Sequence, residues 1–445
     1  LVVFRLSIIS GILVAGIVLS ITLASANPAA ISAVTLQKKE VTITAILDNL
    51  GGVIKWDDLL RPAVEELKSR HPELNIQLNY STMPYNETRT KLLNFLGNKS
   101  AIDLVSVDQI WLGDFAQRGY LADISDYVKL WGRSSDWYQT NFDGGVYKGR
   151  IYGLWAWTDV RGIWYWKDLL SKAEVDPNSL KTWNGYIASA RKINTILGFE
   201  GVSGAVLAGL NYSPDLWYPY LWMLGGDILV MKSGHPIKGS YWFPAYNSSA
   251  GVKALEFIKE QIDSGIKPLK SNPDKMFVNR KLAVLQSGSW VPGIFPHQSL
   301  SSFVQKIGFI PVFPAPDGLN RTSTMTGGWE FAIPQTSKNK ELAWELITLM
   351  VDPRTMGPWL KQTGFLPTQK SIGSGPELNL LNESIPYYGD MVSMVPIGKS
   401  RPVAPEYPEI AEQVRHAIEE VYYGIEQPKQ ALNNAARESA KSLGW

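Results

Sequence analysis

Met325-Thr-Gly-Gly-Trp-Glu-Phe-Ala-Ile-Pro334 runs directly into Gln335-Thr-Ser-Lys-Asn-Lys-Glu-Leu-Ala-Trp-Glu-Leu-Ile-Thr-Leu-Met350. Gly327 and Gly328 carry no side chain, so a ligand or a second backbone can come close there. Trp329, Phe331 and Ile333 alternate with Glu330 and Ala332, the two-residue period of a strand, and Pro334 ends it. Ser337 is placed to cap a helix whose apolar positions Leu342, Ala343, Leu346, Ile347 and Met350 share one face, with Asp352-Pro353 as its stop. A Gly-Gly-aromatic strand feeding a capped helix is one α/β unit, and what precedes it decides which fold it completes.

Upstream, Val41 to Leu47 alternates as a first strand, and Leu59, Leu60, Ala63, Val64 and Leu67 make an amphipathic helix face. Leu74 to Tyr80 reads as a second strand, Glu87 to Leu96 as a helix, and Ile102 to Val107 as a third strand. This β-α-β-α-β order points to an open parallel sheet, in which ligands collect at the carboxyl ends of strands. Asp108 sits at such an end. Two strand-like runs then flank a Trp157-Thr158-Asp159 corner, read as the first crossing into a second lobe. That lobe is expected to hold helices near 183–197, 214–224 and 250–264, a small-residue strand at 201–208, and short strands at 281–286 and 306–310. The chain re-enters the first lobe at the opening stretch, crosses again after Gly364-Phe-Leu-Pro367, and ends in helices near 410–423 and 428–443.

The chain has 445 residues, enough for two or three domains with proper cores. A net charge of +2, without basic runs interleaved with aromatics, argues against nucleic acid. The absence of Cys excludes disulfides, thiol catalysis, Cys-ligated metals and a lipoprotein anchor. Leu6 to Ala26 is an uncharged apolar run ending in Ala24-Ser25-Ala26, so 1–26 reads as a signal peptide or a retained anchor and 27–40 as a linker. Asn-x-Ser/Thr triplets at Asn79, Asn86, Asn98, Asn211, Asn247, Asn320 and Asn382 fit an exported glycoprotein at the extracellular face.

Several landmarks in order resemble a known family. They are Ala101-Ile-Asp-Leu-Val-Ser-Val-Asp108 with Trp111, Trp157-Thr-Asp159 with Tyr165-Trp-Lys-Asp168, and Leu221-Trp-Met-Leu-Gly-Gly-Asp227. Ala283-Val-Leu-Gln-Ser-Gly-Ser-Trp290, the Gly327-Gly-Trp329 unit, Gly364-Phe-Leu-Pro-Thr368 and Arg401-Pro-Val-Ala-Pro-Glu-Tyr407 complete them. Together they resemble extracellular solute-binding proteins of ABC importers, in the maltodextrin and trehalose/maltose class. The resemblance implies an α/β fold of two lobes joined by a hinge, lobe 1 from 41–158 with 325–368 and lobe 2 from 162–320 with 373–445. It implies a monomer that closes on a sugar, partners a membrane permease, and needs no cofactor.

A sugar offers an apolar C–H face to aromatic rings and a hydroxyl rim to charged groups. Matching family positions put Trp290 and Trp329 on the sugar face, while Trp157 could equally pack the hinge. Asp108 and Asp159 are the expected hydroxyl acceptors, although Asp also caps helices and shapes turns. Arg89 and Arg401 match donors, or else form surface ion pairs. Where the family often carries Arg after Pro-Thr, this chain has Gln369. Two other readings stay open: a secreted glycoside hydrolase, for which no acid and nucleophile pair is recognisable, and a ferric-ion binder using Tyr387-Tyr388 or Tyr422-Tyr423. The four scattered His residues have no metal-ligand spacing.

Overall fold

The computed structural model describes residues 38–49, 55–208, 213–232, 242–269, 273–295, 300–319, 321–385 and 387–445. The apolar run at 6–26 and residues 27–37 of its linker lie outside these residues, as do Asn211 and Asn320; Lys39 and Glu40, read as linker, instead begin the first strand.

Three leading strands form the expected parallel array. Lys39–Asp48 is central, pairing with Leu74–Met83 along its whole length and with Leu104–Asp108 at its carboxyl end. Thr326–Ala332 adds antiparallel to Leu104–Asp108, with Trp329 opposite Asp108. Its other edge meets Leu154–Trp166, a strand of 13 residues, with Trp329 opposite Trp157 and Thr326 opposite Val160. Glu330 then faces Trp155, so Ala156 is the extra residue of a bulge.

Leu154–Trp166 is where the fold departs from the expected corner. The strand does not turn at Thr158-Asp159; it continues and changes partners. Beyond Val160 it pairs with Val284–Gly288, Arg161 opposite Gly288, and with Ile307–Ile310, Ile163 opposite Ile310. Thr158 and Asp159 are turn formers by type, but their polar groups are satisfied sideways. The Thr158 hydroxyl donates to the Gly327 carbonyl at 2.7 Å, and the Gly327 amide donates to Asp159 Oδ1 at 3.3 Å. One strand therefore serves both lobes.

Gly327 and Gly328 admit a close neighbour, and that neighbour is this strand. A side chain at Gly328 (φ +155°) would meet Trp155 Nε1 at 1.9 Å and the Trp157 carbonyl at 2.3 Å. Ser337 is not the cap of the following helix, which starts at Lys340 after Asn339. Its hydroxyl instead donates to Asp103 at 2.6 Å, tethering the loop to the first sheet. The helices Asp57–Arg70, Lys340–Met350 and Pro353–Thr363 pack together over that sheet. In the second lobe, 201–208 makes isolated bridges at Ser203 and Leu207 rather than a strand. Gly204 lies so tightly on the helix Trp183–Leu197 that a Cβ would stand 2.2 Å from the Ala190 carbonyl. The last two helices, Tyr407–Tyr422 and Pro428–Ser442, pack on Ser213–Met223 and Ser249–Asp263.

Candidate functional site at the junction of the lobes

Three segments cross between the lobes side by side. The Thr324 hydroxyl accepts from the Arg161 amide at 2.9 Å and donates to the Arg161 carbonyl at 2.8 Å. The Lys399 amide donates to the Thr324 carbonyl at 3.1 Å, and the Thr326 amide to the Lys399 carbonyl at 2.9 Å. On the first-lobe side, the carboxyl ends of the parallel strands bring Asp48 and Asp108 to the edge where Asp159 and Gly327 lie.

Along this edge runs a chain of charges, buried except for the partly exposed Asp215. Asp108 ends its strand and caps the helix Gln109–Gln117 through the Ile110 amide at 3.3 Å. Its carboxylate also accepts from the Tyr85 hydroxyl at 3.0 Å and meets Arg401 at 3.4 Å. Arg401 reaches on to Asp215, from the second lobe, at 3.2 Å. Asp215 stands 3.8 Å from Arg161, and Arg161 pairs with Asp159. Trp290 lies over the Arg161 guanidinium, 4.4 Å from ring centroid to charge, and donates its indole N–H to Asp274 at 2.9 Å. Asp108 thus caps the helix through Oδ1 while Oδ2 accepts from Tyr85.

Burial sets the electrostatics. It pushes Asp108 up, opposed by the Arg401 charge and reinforced by Asp215. Burial also lowers Arg161 to about 10, against the pull of Asp215 and with the repulsion of Arg401. For Arg401 burial acts downward, but Asp215 and Asp108 outweigh it and hold the guanidinium above its ordinary value. Beneath the edge, Glu330 is fully buried with neither carboxyl oxygen hydrogen-bonded, and burial drives it well above the usual carboxylate range.

The expected residues sort unequally. Asp108, Asp159, Trp290 and Arg401 come together at the junction, with Gly327 beside Asp159. Trp329 is 5% exposed, boxed by Trp111 (centroids 5.5 Å) and Tyr85 (6.0 Å) next to Asp108. Trp157 is wholly buried among Trp56, Phe331, Trp359 and Phe365, so it packs the first lobe and offers no face to a ligand. Gly328 accommodates Trp155, as above. Arg89 is turned to Asp114 at 2.6 Å, a carboxylate it shares with Arg118, outside the Asp108–Arg401 chain. Tyr85, Arg161, Asp215 and Asp274 escaped the sequence reading. Arg161 stood two residues past a quoted landmark, and Asp215 opens a helix, but only their meeting in space gives them a role.

The tyrosine pairs do not converge. Tyr388 donates to the Phe365 carbonyl at 2.6 Å, while Tyr422 is buried and Tyr423 exposed on one helix. Among the described residues no group of three or more His, Asp or Glu is arranged to hold a metal.

The family described as bacterial extracellular solute-binding protein matches this chain over residues 55–357. The chain belongs to that family. Among relatives of this solute-binding protein, a putative binding protein of Brucella abortus (strain 2308) is 25% identical over 386 residues, 84% of this chain and 88% of that one. The arabinooligosaccharide-binding protein of Bacillus subtilis (strain 168) is 22% identical over 336 residues, 73% of each chain. A maltose-bound structure of T. maritima MalE3 superposes with a TM-score of 0.75 at 22% identity, covering 90% of this solute-binding protein and 99% of its own chain. The two-lobed fold is therefore the family's. Among the described residues no helix is long and apolar enough to cross a membrane.

Proposed function

We propose that this solute-binding protein captures a di- or oligosaccharide between its lobes and delivers it to the permease of an ABC importer, without altering it. The observation that carries the reading is the chain Asp108–Arg401–Asp215–Arg161–Asp159, which joins the first lobe, the crossing segments and the second lobe at one edge. A saccharide hydroxyl donates to one group and accepts from another, so carboxylates alternating with guanidiniums suit its rim. Tyr85 and Trp290, partly exposed beside them, suit its C–H face. The arabinooligosaccharide and maltose named for two relatives are of this chemical class.

Lobe 1 is 41–158 with 325–368 and lobe 2 is 162–320 with 373–445, with ligand-driven closure about the three crossings. Asp108, Asp159, Trp290, Trp329, Arg401 and Gly327 form the binding set, joined by Tyr85, Arg161 and Asp215. A monomer, export through the segment 1–26 and glycan at exposed sequons such as Asn98 complete the proposal. Carboxylates held by arginines accept hydrogen bonds; a hydrolase needs one protonated acid aimed at the glycosidic oxygen. The test is calorimetric titration of purified protein with maltose, maltotriose and arabino-oligosaccharides, followed by product analysis. Binding with unchanged sugar is expected; sugar cleavage, or failure of every saccharide to bind, would overturn the reading.

A further inference from the structure

Gln109 follows Asp108 directly, as the first residue of the helix Gln109–Gln117. It is 0% exposed and presents no face to a ligand. Its Nε2 donates to the backbone carbonyl of Arg401 at 2.9 Å, across 292 positions of sequence. A carbonyl only accepts, so this bond fixes which end of the Gln109 amide points at Arg401. One turn along the helix, Gly113 brings the two backbones together. A Cβ there would stand 3.1 Å from the Val403 carbonyl oxygen, the Ala404 carbonyl carbon and the Pro405 nitrogen alike. Residues 401–404 belong to no helix or strand, and Pro402 and Pro405 have no N–H with which to join a ladder. A side-chain donor from the first-lobe helix takes over that task. Past the end of the segment, the Tyr407 hydroxyl donates to the Tyr218 hydroxyl at 3.2 Å, on a helix of the second lobe. The strap 401–405 is therefore tied to one lobe at its start and leads into the other.

We propose that Gln109 is a positioning residue for Arg401: by holding that backbone carbonyl on the first-lobe helix, it places the guanidinium between Asp108 and Asp215. The assignment rests on the sugar reading above and deepens it by naming what sets the position of Arg401. Asp108 and Gln109 are consecutive, so one helix start delivers both the carboxylate and the backbone anchor, and their spacing stays fixed when the lobes move. The Arg401–Asp108 contact at 3.4 Å is then internal to the first lobe, and the contact with Asp215 at 3.2 Å is the one that opening and closing can break and make. Arg401 Nε is buried without a hydrogen-bond partner, so the side chain is held by its terminal nitrogens and depends on its backbone for the rest. Without the Gln109 anchor, Arg401 is free to follow Asp215, and the ligand meets a donor that is no longer in place.

The test uses Gln109→Met in the full chain, which keeps the length of the side chain and removes the N–H. Maltose affinity by calorimetry should fall about three- to tenfold. The same change made on top of Arg401→Met should cost less than about twofold, because the residue being positioned is gone. A second readout needs no sugar. In empty protein labelled with ¹⁵N-arginine, the Nε–H resonance of Arg401, identified by its loss in Arg401→Met, should shift or broaden in Gln109→Met while that of Arg161 stays. Should Gln109→Met fold poorly, Gln109→Asn, one methylene shorter, withdraws the donor and keeps a polar amide, with the same outcomes expected. An affinity loss of equal size with and without Arg401, or an Arg401 resonance unchanged from wild type, would make Gln109 a packing residue and overturn the assignment. Where Arg401→Met binds too weakly for the comparison, the resonance decides. If maltose, maltotriose and arabino-oligosaccharides all fail to bind wild type, that failure belongs to the sugar reading, and the resonance still shows whether Gln109 places Arg401.

Discussion

Trp290, Trp329 and Trp157 are chemically identical, and their surroundings give them different duties. Trp290 is partly exposed and rests on the Arg161 guanidinium. Losing about 100 Å² of stacking area at roughly 25 cal/mol per Å² weakens binding by ten- to a hundredfold. Trp290→Ala should therefore reduce saccharide affinity by that factor in calorimetry, with a much smaller change in the melting point of empty protein. Trp329 is boxed by Trp111 and Tyr85, so Trp329→Ala should cost the empty protein about 3–5 kcal/mol in denaturant titration as well as weakening binding. Glu330 tests the burial argument directly. Its folded-state pKa is raised, so the native protein holds a proton that the unfolded chain releases above its ordinary value near 4.5. Stability must fall as pH rises from there, and Glu330→Gln should flatten that part of the profile. Asp108 and Asp159 were legible because each follows an apolar run that reads as a strand. Arg161, Asp215 and Gln109 were not, because a side chain's partner across 50 or more residues leaves no local pattern. Glu330 misled in the opposite sense, reading as the polar face of a strand that is buried on both sides.

At the scale of elements, the parallel strands and most helices follow from periodicity, and the helix Trp183–Leu197 has the expected bounds. The crossing strand did not, since Thr158-Asp159 looks like a turn until the antiparallel neighbour at Gly327 satisfies it. The helix Pro353–Thr363 was also missed, because Asp352-Pro353 stops one helix and caps the next through the Arg354 amide at 3.1 Å. Thr324 is the element-level hinge pin, buried and bonded in both directions to the Arg161 backbone. Thr324→Val keeps the shape and leaves that amide and carbonyl unpaired, at about 1–3 kcal/mol per buried group. The expected outcome is a lower melting point together with faster amide exchange at Arg161 by mass spectrometry. Unchanged exchange there would mean that the crossing strands hold without Thr324.

For the whole molecule, Arg401 is the charge through which Asp108 of the first lobe and Asp215 of the second are held together. Arg401→Met leaves the buried Asp108 carboxylate without its arginine while Asp215 stays partly exposed, a loss of up to about 3–5 kcal/mol. Part of that loss can be relieved by opening, so small-angle scattering should show a larger radius of gyration for empty Arg401→Met than for wild type. Equal radii would show that the pair does not govern closure. The shared strand Leu154–Trp166 and its late partner also bear on how the protein is made. Leu104–Asp108 leaves the ribosome long before Thr326–Ala332, the strand that fills its open edge. At roughly 5–20 residues per second the delay is on the order of ten to forty seconds. Through that interval the nascent first lobe has an incomplete sheet and the long strand has no first-lobe neighbour. Vectorial folding from the amino end is thereby held back until more than 330 residues have been synthesised. A polypeptide that remains unlocked for so long is a client for chaperones, and it stays threadable through a narrow translocation pore.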